Sequence, residues 1–252
     1  MIIFDEKKYA ENLLLNGYKN IKYISYDNIV LVKYWKYLGV QENEIRKKLK
    51  DFMIEFQEIY SSDISDSKID RSIKIGMQYY LYTGITVNIS DKEIELINTL
   101  ETMELRKMMF ILLLVWKFKG KPQRFKLSNV DLMKLSEVKV NNNTFWEYIN
   151  KITEIKMISL VAYDNKDYYT INFDLDDDVN ENVLSINNYS NPIYYYMNLI
   201  EPEKYKNCEE CGVLIRLGNN RSKYCRDCWK VIERKLSKET SRKYRNKLKV
   251  TV

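Results

Sequence analysis

Cys208-Glu-Glu-Cys211 and Cys225-Arg-Asp-Cys228 hold the only four cysteines of this 252-residue chain. A C-x2-C pair bends the backbone into a knuckle that aims two sulfurs at one point. Two such pairs predict a closed tetrahedral four-thiolate site for one structural zinc, with no open position for a substrate. A redox or disulfide set is the alternative. Gly212 suits the tight turn after the first pair, where a side chain would crowd the metal. Between the pairs, 213–217, Gly218-Asn-Asn220 and 221–224 predict strand, turn and strand. From Trp229 to Lys249 there is no Gly or Pro, so a helix is expected to begin at the second knuckle.

Knuckle, hairpin and helix together resemble a zinc ribbon or treble-clef finger, over about a fifth of the chain. The charge is concentrated there. From Lys204 onward, 15 Lys+Arg face 5 Asp+Glu, a net of +10, while the remaining 26 against 30 leave −4. Four thiolates and a zinc ion would bring the tail to +8. Such asymmetry predicts a polyanionic partner.

Histidine is absent. Imidazole-based mechanisms and zinc-histidine nucleases are therefore excluded, and a non-enzymatic protein is expected. The apolar run 108–115 is too short to span a bilayer. The N-terminus lacks a basic region and a small-residue cleavage site, so no signal peptide, no membrane partner and a reducing cytoplasm are expected. Two alanines among abundant Lys, Ile, Asn and Tyr suggest an A/T-rich genome.

The pattern predicts a mainly α (α+β) chain in four parts: a helical region 1–89, a second domain 90–175, an acidic and Tyr-rich linker 176–203, and the finger with its basic helix 204–252. Helices are expected over 5–16, 26–38, 42–60 and 69–82, with a polar break at 61–67. A short strand covers 86–89. Ser90-Asp-Lys-Glu93 has the form of a capping box ahead of a helix reaching 118, with a break near Glu101. Its apolar run exposes almost no polar face, which marks a central core helix. Next come a helix over 129–135 capped by Ser128, a helix capped by Asn142 or Asn143 and running to 155, a strand over 157–163, a turn at 164–166 and a strand over 167–173.

That order resembles the winged-helix family across about 90–175. The resemblance implies that the second helix of the pair enters the major groove, with Asn142, Asn143, Asn150 and Lys151 facing it. Asn can pair bidentately with adenine. Glu147 and Glu154 on the same face, and Asp164 and Asp167 at the wing, would repel phosphate. The segment 90–174 carries 13 basic and 12 acidic residues. A protein-contact role therefore stands beside a DNA-reading one. The cluster Lys117, Lys119, Lys121, Arg124 and Lys126 favours DNA, against the alternative of a solvated loop.

Asp174-Leu-Asp-Asp-Asp178 lacks the central Gly and distal Glu of a calcium loop and reads as a solvated linker. Tyr194-Tyr-Tyr196 is expected to pack on the winged domain, the alternative being stacking on bases. After Cys228, Ile232, Leu236, Thr240, Tyr244 and Leu248 form a thin apolar stripe, with Lys230, Arg234, Lys235, Lys238, Arg242, Lys243 and Arg245 around it. This predicts a helix lying along a phosphate backbone, the alternative being a solvated tail.

The whole array resembles phage and mobile-element proteins of low-GC Gram-positive bacteria. It implies a zinc-containing nucleic-acid-binding protein, DNA favoured, that regulates transcription or replication of the element. The alternative is an inhibitor of a host defence (anti-CRISPR-type) or transcription machine, acting on a host protein or RNA–protein complex. Oligomeric state is open.

Overall fold

The computed structural model describes residues 3–18, 20–56, 66–163, 166–173, 182–218 and 222–250. Residues 57–60 of the helix expected over 42–60, residues 61–65 of the polar break, the turn residues Asp164 and Asn165, the acidic run 174–178 and Asn219–Arg221 lie outside them. The described chain is mainly helical with short antiparallel strands, an α+β protein. It divides into two compact units, Met1–Ile85 and Thr86–Val252.

The first unit is a bundle of α1 (Glu6–Asn16), α2 (Ile24–Tyr37), α3 (Glu42–Glu55) and α4 (Asp66–Gln78). Helix α2 is apolar on most sides because the other three surround it, and Val30, Leu31 and Val32 are wholly buried. Helix α3 turns Ile45, Leu49, Phe52 and Met53 inward. Gly76 lets α4 close on α2: a Cβ there would lie 2.5 Å from Val32 Cγ1. Glu6 of α1 and Lys33 of α2 form a buried ion pair. Glu6 Oε2 also accepts the Tyr82 N–H at 2.8 Å, and Lys33 Nζ lies 4.6 Å over the Tyr82 ring. Buried polar groups so fully partnered favour one register of α1 on α2 over another.

In the second unit, β1 (Val87–Ser90) leads into α5 (Asp91–Asn98) and α6 (Met103–Phe118). The capping box forms as its spacing predicts. Ser90 Oγ accepts from Glu93 N, and Glu93 Oε2 accepts from Ser90 N at 2.9 Å. Helix α6 is the core, with every side chain from Met108 to Val115 fully buried. Around it lie α7 (Asn129–Ser136), α8 (Asn142–Glu154) and the hairpin β2 (Ile158–Tyr163)–β3 (Lys166–Ile171). Phe125 joins β3 in a two-way backbone bridge with Tyr169, at 2.9 and 2.8 Å. The cap of α8 is Asn141, whose Oδ1 accepts from Thr144 N at 2.9 Å; Asn142 and Asn143 lie in its first turn.

Part of the stretch read as a linker is built into this unit. Residues Asn182–Ile186 form β4, antiparallel to β1. Helix α9 (Ile193–Ile200) packs on α6. Tyr196 is fully buried, its ring 5.1 Å from Phe110 and its hydroxyl donating to Asn98 at 2.7 Å. Among the described residues no helix is long and apolar enough to cross a membrane.

Candidate metal centre and basic helix

The finger is built on the first knuckle. Gly212 N donates to Cys208 O at 2.9 Å and Cys208 N to Val213 O at 2.8 Å, closing the turn. Gly212 sits at φ +70, and a Cβ there would meet no protein atom within 4 Å. Glycine is thus favoured by its left-handed backbone. Because the knuckle reverses the chain, it is itself the hairpin turn. Leu214–Arg216 (β6) pairs with the upstream Tyr205–Asn207 (β5), with Tyr205 opposite Arg216 and Asn207 opposite Leu214. The hairpin expected between the two cysteine pairs is replaced by this one, and Ser222–Tyr224 is not a strand. Tyr205 is buried with its ring 5.2 Å from Tyr194, which ties the finger to α9.

The second knuckle opens α10 (Arg226–Val250) inside the Cys225–Cys228 pair. Trp229 N donates to Cys225 O at 2.9 Å. All four sulfurs lie within 4.8 Å of one another, a set that can hold a metal ion. Cys208 is buried, Cys225 and Cys228 are half-buried, and Cys211 is at the surface. Backbone amides aim at the sulfurs: Cys225 N donates to Cys208 Sγ at 3.2 Å and Cys228 N to Cys225 Sγ at 3.4 Å. Burial pushes the Cys208 thiol up, but N–H donors from Cys225, Cys211 and Glu210 outweigh it and bring it to about 6. Cys228 is raised, chiefly by hydrogen bonding to Cys211 and Cys225. Val213, Ile215 and Tyr224 are the apolar residues packed around this cluster.

Helix α10 has 25 residues, about 37 Å at 1.5 Å each. Its described side chains from Trp229 to Thr240 are exposed or half-buried, Lys230, Arg234 and Lys238 among the exposed. The stripe residue Leu236 is 50% exposed and Ile232 half-buried. The side chains of Lys235, Arg242, Lys243 and Arg245 lie outside the described part, although the helix backbone continues through all four. At 3.6 residues per turn, positions 230, 234, 238, 242 and 245 share a face about 120° wide.

Asn142, Asn143 and Lys151 are exposed on α8 and belong to a different element from the cysteines. Lys151 Nζ lies 3.7 Å from Glu101. Helical spacing puts Asn143, Glu147, Asn150 and Glu154 along one line, with both carboxylates exposed. The basic cluster at 117–126 is partly spent on structure. Lys117 Nζ donates to Glu93 at 2.6 Å and to Asn88 O at 2.9 Å, and its side chain is 5% exposed. Lys119 donates to Lys126 O at 3.2 Å, and burial lowers its pKa. Lys121 lies 5.7 Å over the Trp116 ring. Nothing in the sequence spacing of Lys117 marks it as the partner of Glu93, 24 residues upstream. Trp229 is left 47% exposed beside Tyr224.

Compared with protein-family models, curated proteins and solved structures, the chain matches none.

Proposed function

We propose that this chain is a non-enzymatic zinc protein that binds nucleic acid, DNA by preference, through α10. The observation that carries the reading is a long basic helix that springs from the four-cysteine centre and is left bare along its described length. A helix that buries almost nothing does not form for the sake of a core. Its basic face suits a line of phosphates. A second copy of α10 is a poor partner, since like charges would meet.

Zinc is supported by the donor set and its spacing. Four thiolates around a tetrahedral ion with bonds of about 2.3 Å stand about 3.8 Å apart, and Cys211 Sγ and Cys225 Sγ are 3.7 Å apart. All four donors come from the protein, so the ion's part is structural: it fixes β5, β6 and the start of α10 as one piece.

A winged-helix-like reading of the preceding elements is supported by the Phe125–Tyr169 bridge. It gives the order helix, short strand, helix, helix and two-stranded wing. Regulation of transcription or replication of a phage or mobile element rests on the sequence resemblance alone. A second reading, action through protein contacts as an inhibitor of a host machine, is favoured at α8 by Glu147 and Glu154 on its exposed face.

Protein purified without chelator should contain one zinc per chain and shift duplex DNA at low salt. Full zinc content in Cys211→Ser would contradict the metal assignment. Failure to bind any nucleic acid at low salt would contradict the function.

A further inference from the structure

We propose, on the reading that α10 follows phosphates, that Trp229 and Tyr224 form a stacking surface for unpaired bases, so that the finger's preferred ligand is single-stranded nucleic acid. Trp229 stands in the first turn of α10, one residue past Cys228, and is 47% exposed. Indole is a large apolar group, and leaving half of it in water forfeits burial that Trp ordinarily obtains. The other tryptophans differ: Trp35 and Trp116 are 7% and 6% exposed, and Trp146 is half-buried. Tyr224 lies against Trp229 with centroids 6.4 Å apart and only 19° between the ring planes. The two rings face the same way and come from either side of the second knuckle. A metal ion there would hold them in register.

Cations border the pair. Lys223 and Lys230 adjoin Tyr224 and Trp229 in the chain, and Arg226 lies between the two in sequence; all three are exposed, Lys223 standing 3.8 Å from Glu209. Aromatic faces set in a basic surface are the means by which proteins hold single strands, since every base offers a π-face and phosphates follow alongside. In a duplex the faces are already stacked on one another, and a surface indole gains little from them.

The experiment uses the full zinc-loaded chain with a labelled 20-nucleotide oligo(dT) and, separately, a duplex of equal length. Binding of oligo(dT) should quench tryptophan emission, and the quenching should vanish in Trp229→Phe while affinity is largely kept. Trp229→Ala should weaken single-strand binding by about five- to 150-fold, the range for loss of one base–aromatic stack, with little change on duplex. Zinc content and helicity of both variants are checked first. Equal loss on both ligands, no loss on either, or failure of Phe to retain affinity would overturn the stacking surface and leave phosphate binding by α10 standing. If the parent protein binds neither form, the function itself falls, and the exposed indole is left to a protein partner.

Discussion

Helices α8 and α10 both read in the sequence as surfaces for nucleic acid, and they are opposite kinds of object. Helix α8 buries Phe145, Ile149 and Ile152 completely and is held by an Asn141 cap. Its outer line alternates amide and carboxylate, and its one distal cation, Lys151, stands beside Glu101. Helix α10 has no described side chain that is fully buried from Trp229 on, and its charge is mostly of one sign. The difference teaches that amphipathic spacing identifies a helix without saying what covers it. The stripe on α8 exists for the core. The stripe on α10 is too thin for one and leaves the cations to set the chemistry.

The largest effect that would sharpen this contrast is metal removal. Structural zinc contributes on the order of 10–16 kcal/mol to small thiolate sites, and the finger's own apolar set is small. Chelation should therefore unfold β5, β6 and the start of α10 while α6 to α8 stay folded. Limited proteolysis should cut first after Pro202; first cuts within α8 would break the contrast.

Core truncation comes next. Phe145→Ala should cost about 3–5 kcal/mol of stability in the second unit, as for a buried aromatic. Leu236→Ala on α10 should stay within about 0.5 kcal/mol, as for a surface site. Urea melts of the two variants measure both. A comparable loss from Leu236→Ala would mean that α10 is packed after all.

Smaller still is the expected effect of Asn143→Ala. With Glu147 and Glu154 on the same line, α8 is a poor reader of bases, and affinity and sequence preference should not move. A loss of about 1–3 kcal/mol confined to one base position, seen in binding selection, would return α8 to the major groove.

Much of this was legible in the sequence because it is local. Paired cysteine spacing, the S-x-x-E box and an apolar run with no polar face each lie within one turn or one helix. What was hidden depends on distant partners. Strand β4 pairs with β1 across about a hundred residues, and nothing in Asn182–Ile186 names that partner. Strands β5 and β6 have three residues each, too few for alternation to register. Gly76 looks like an ordinary helix interior residue until α2 is laid against it. Lys117 looked like part of a basic patch because the sequence does not show that its side chain turns back to Glu93.

The most direct test of the central claim is the salt dependence of DNA binding with two variants. Arg234, Lys238, Arg242 and Arg245 replaced together by Gln keep helix propensity and remove four cations from one face of α10; Lys151→Gln removes the cation of α8. At about −0.9 in log–log slope per phosphate neutralised, on the order of four contacts give the parent a slope near −3.6. The α10 variant should lose most of that slope, with zinc content unchanged, and Lys151→Gln should keep it. An α10 variant with the parent's slope, or a slope that falls with Lys151→Gln instead, would contradict the account.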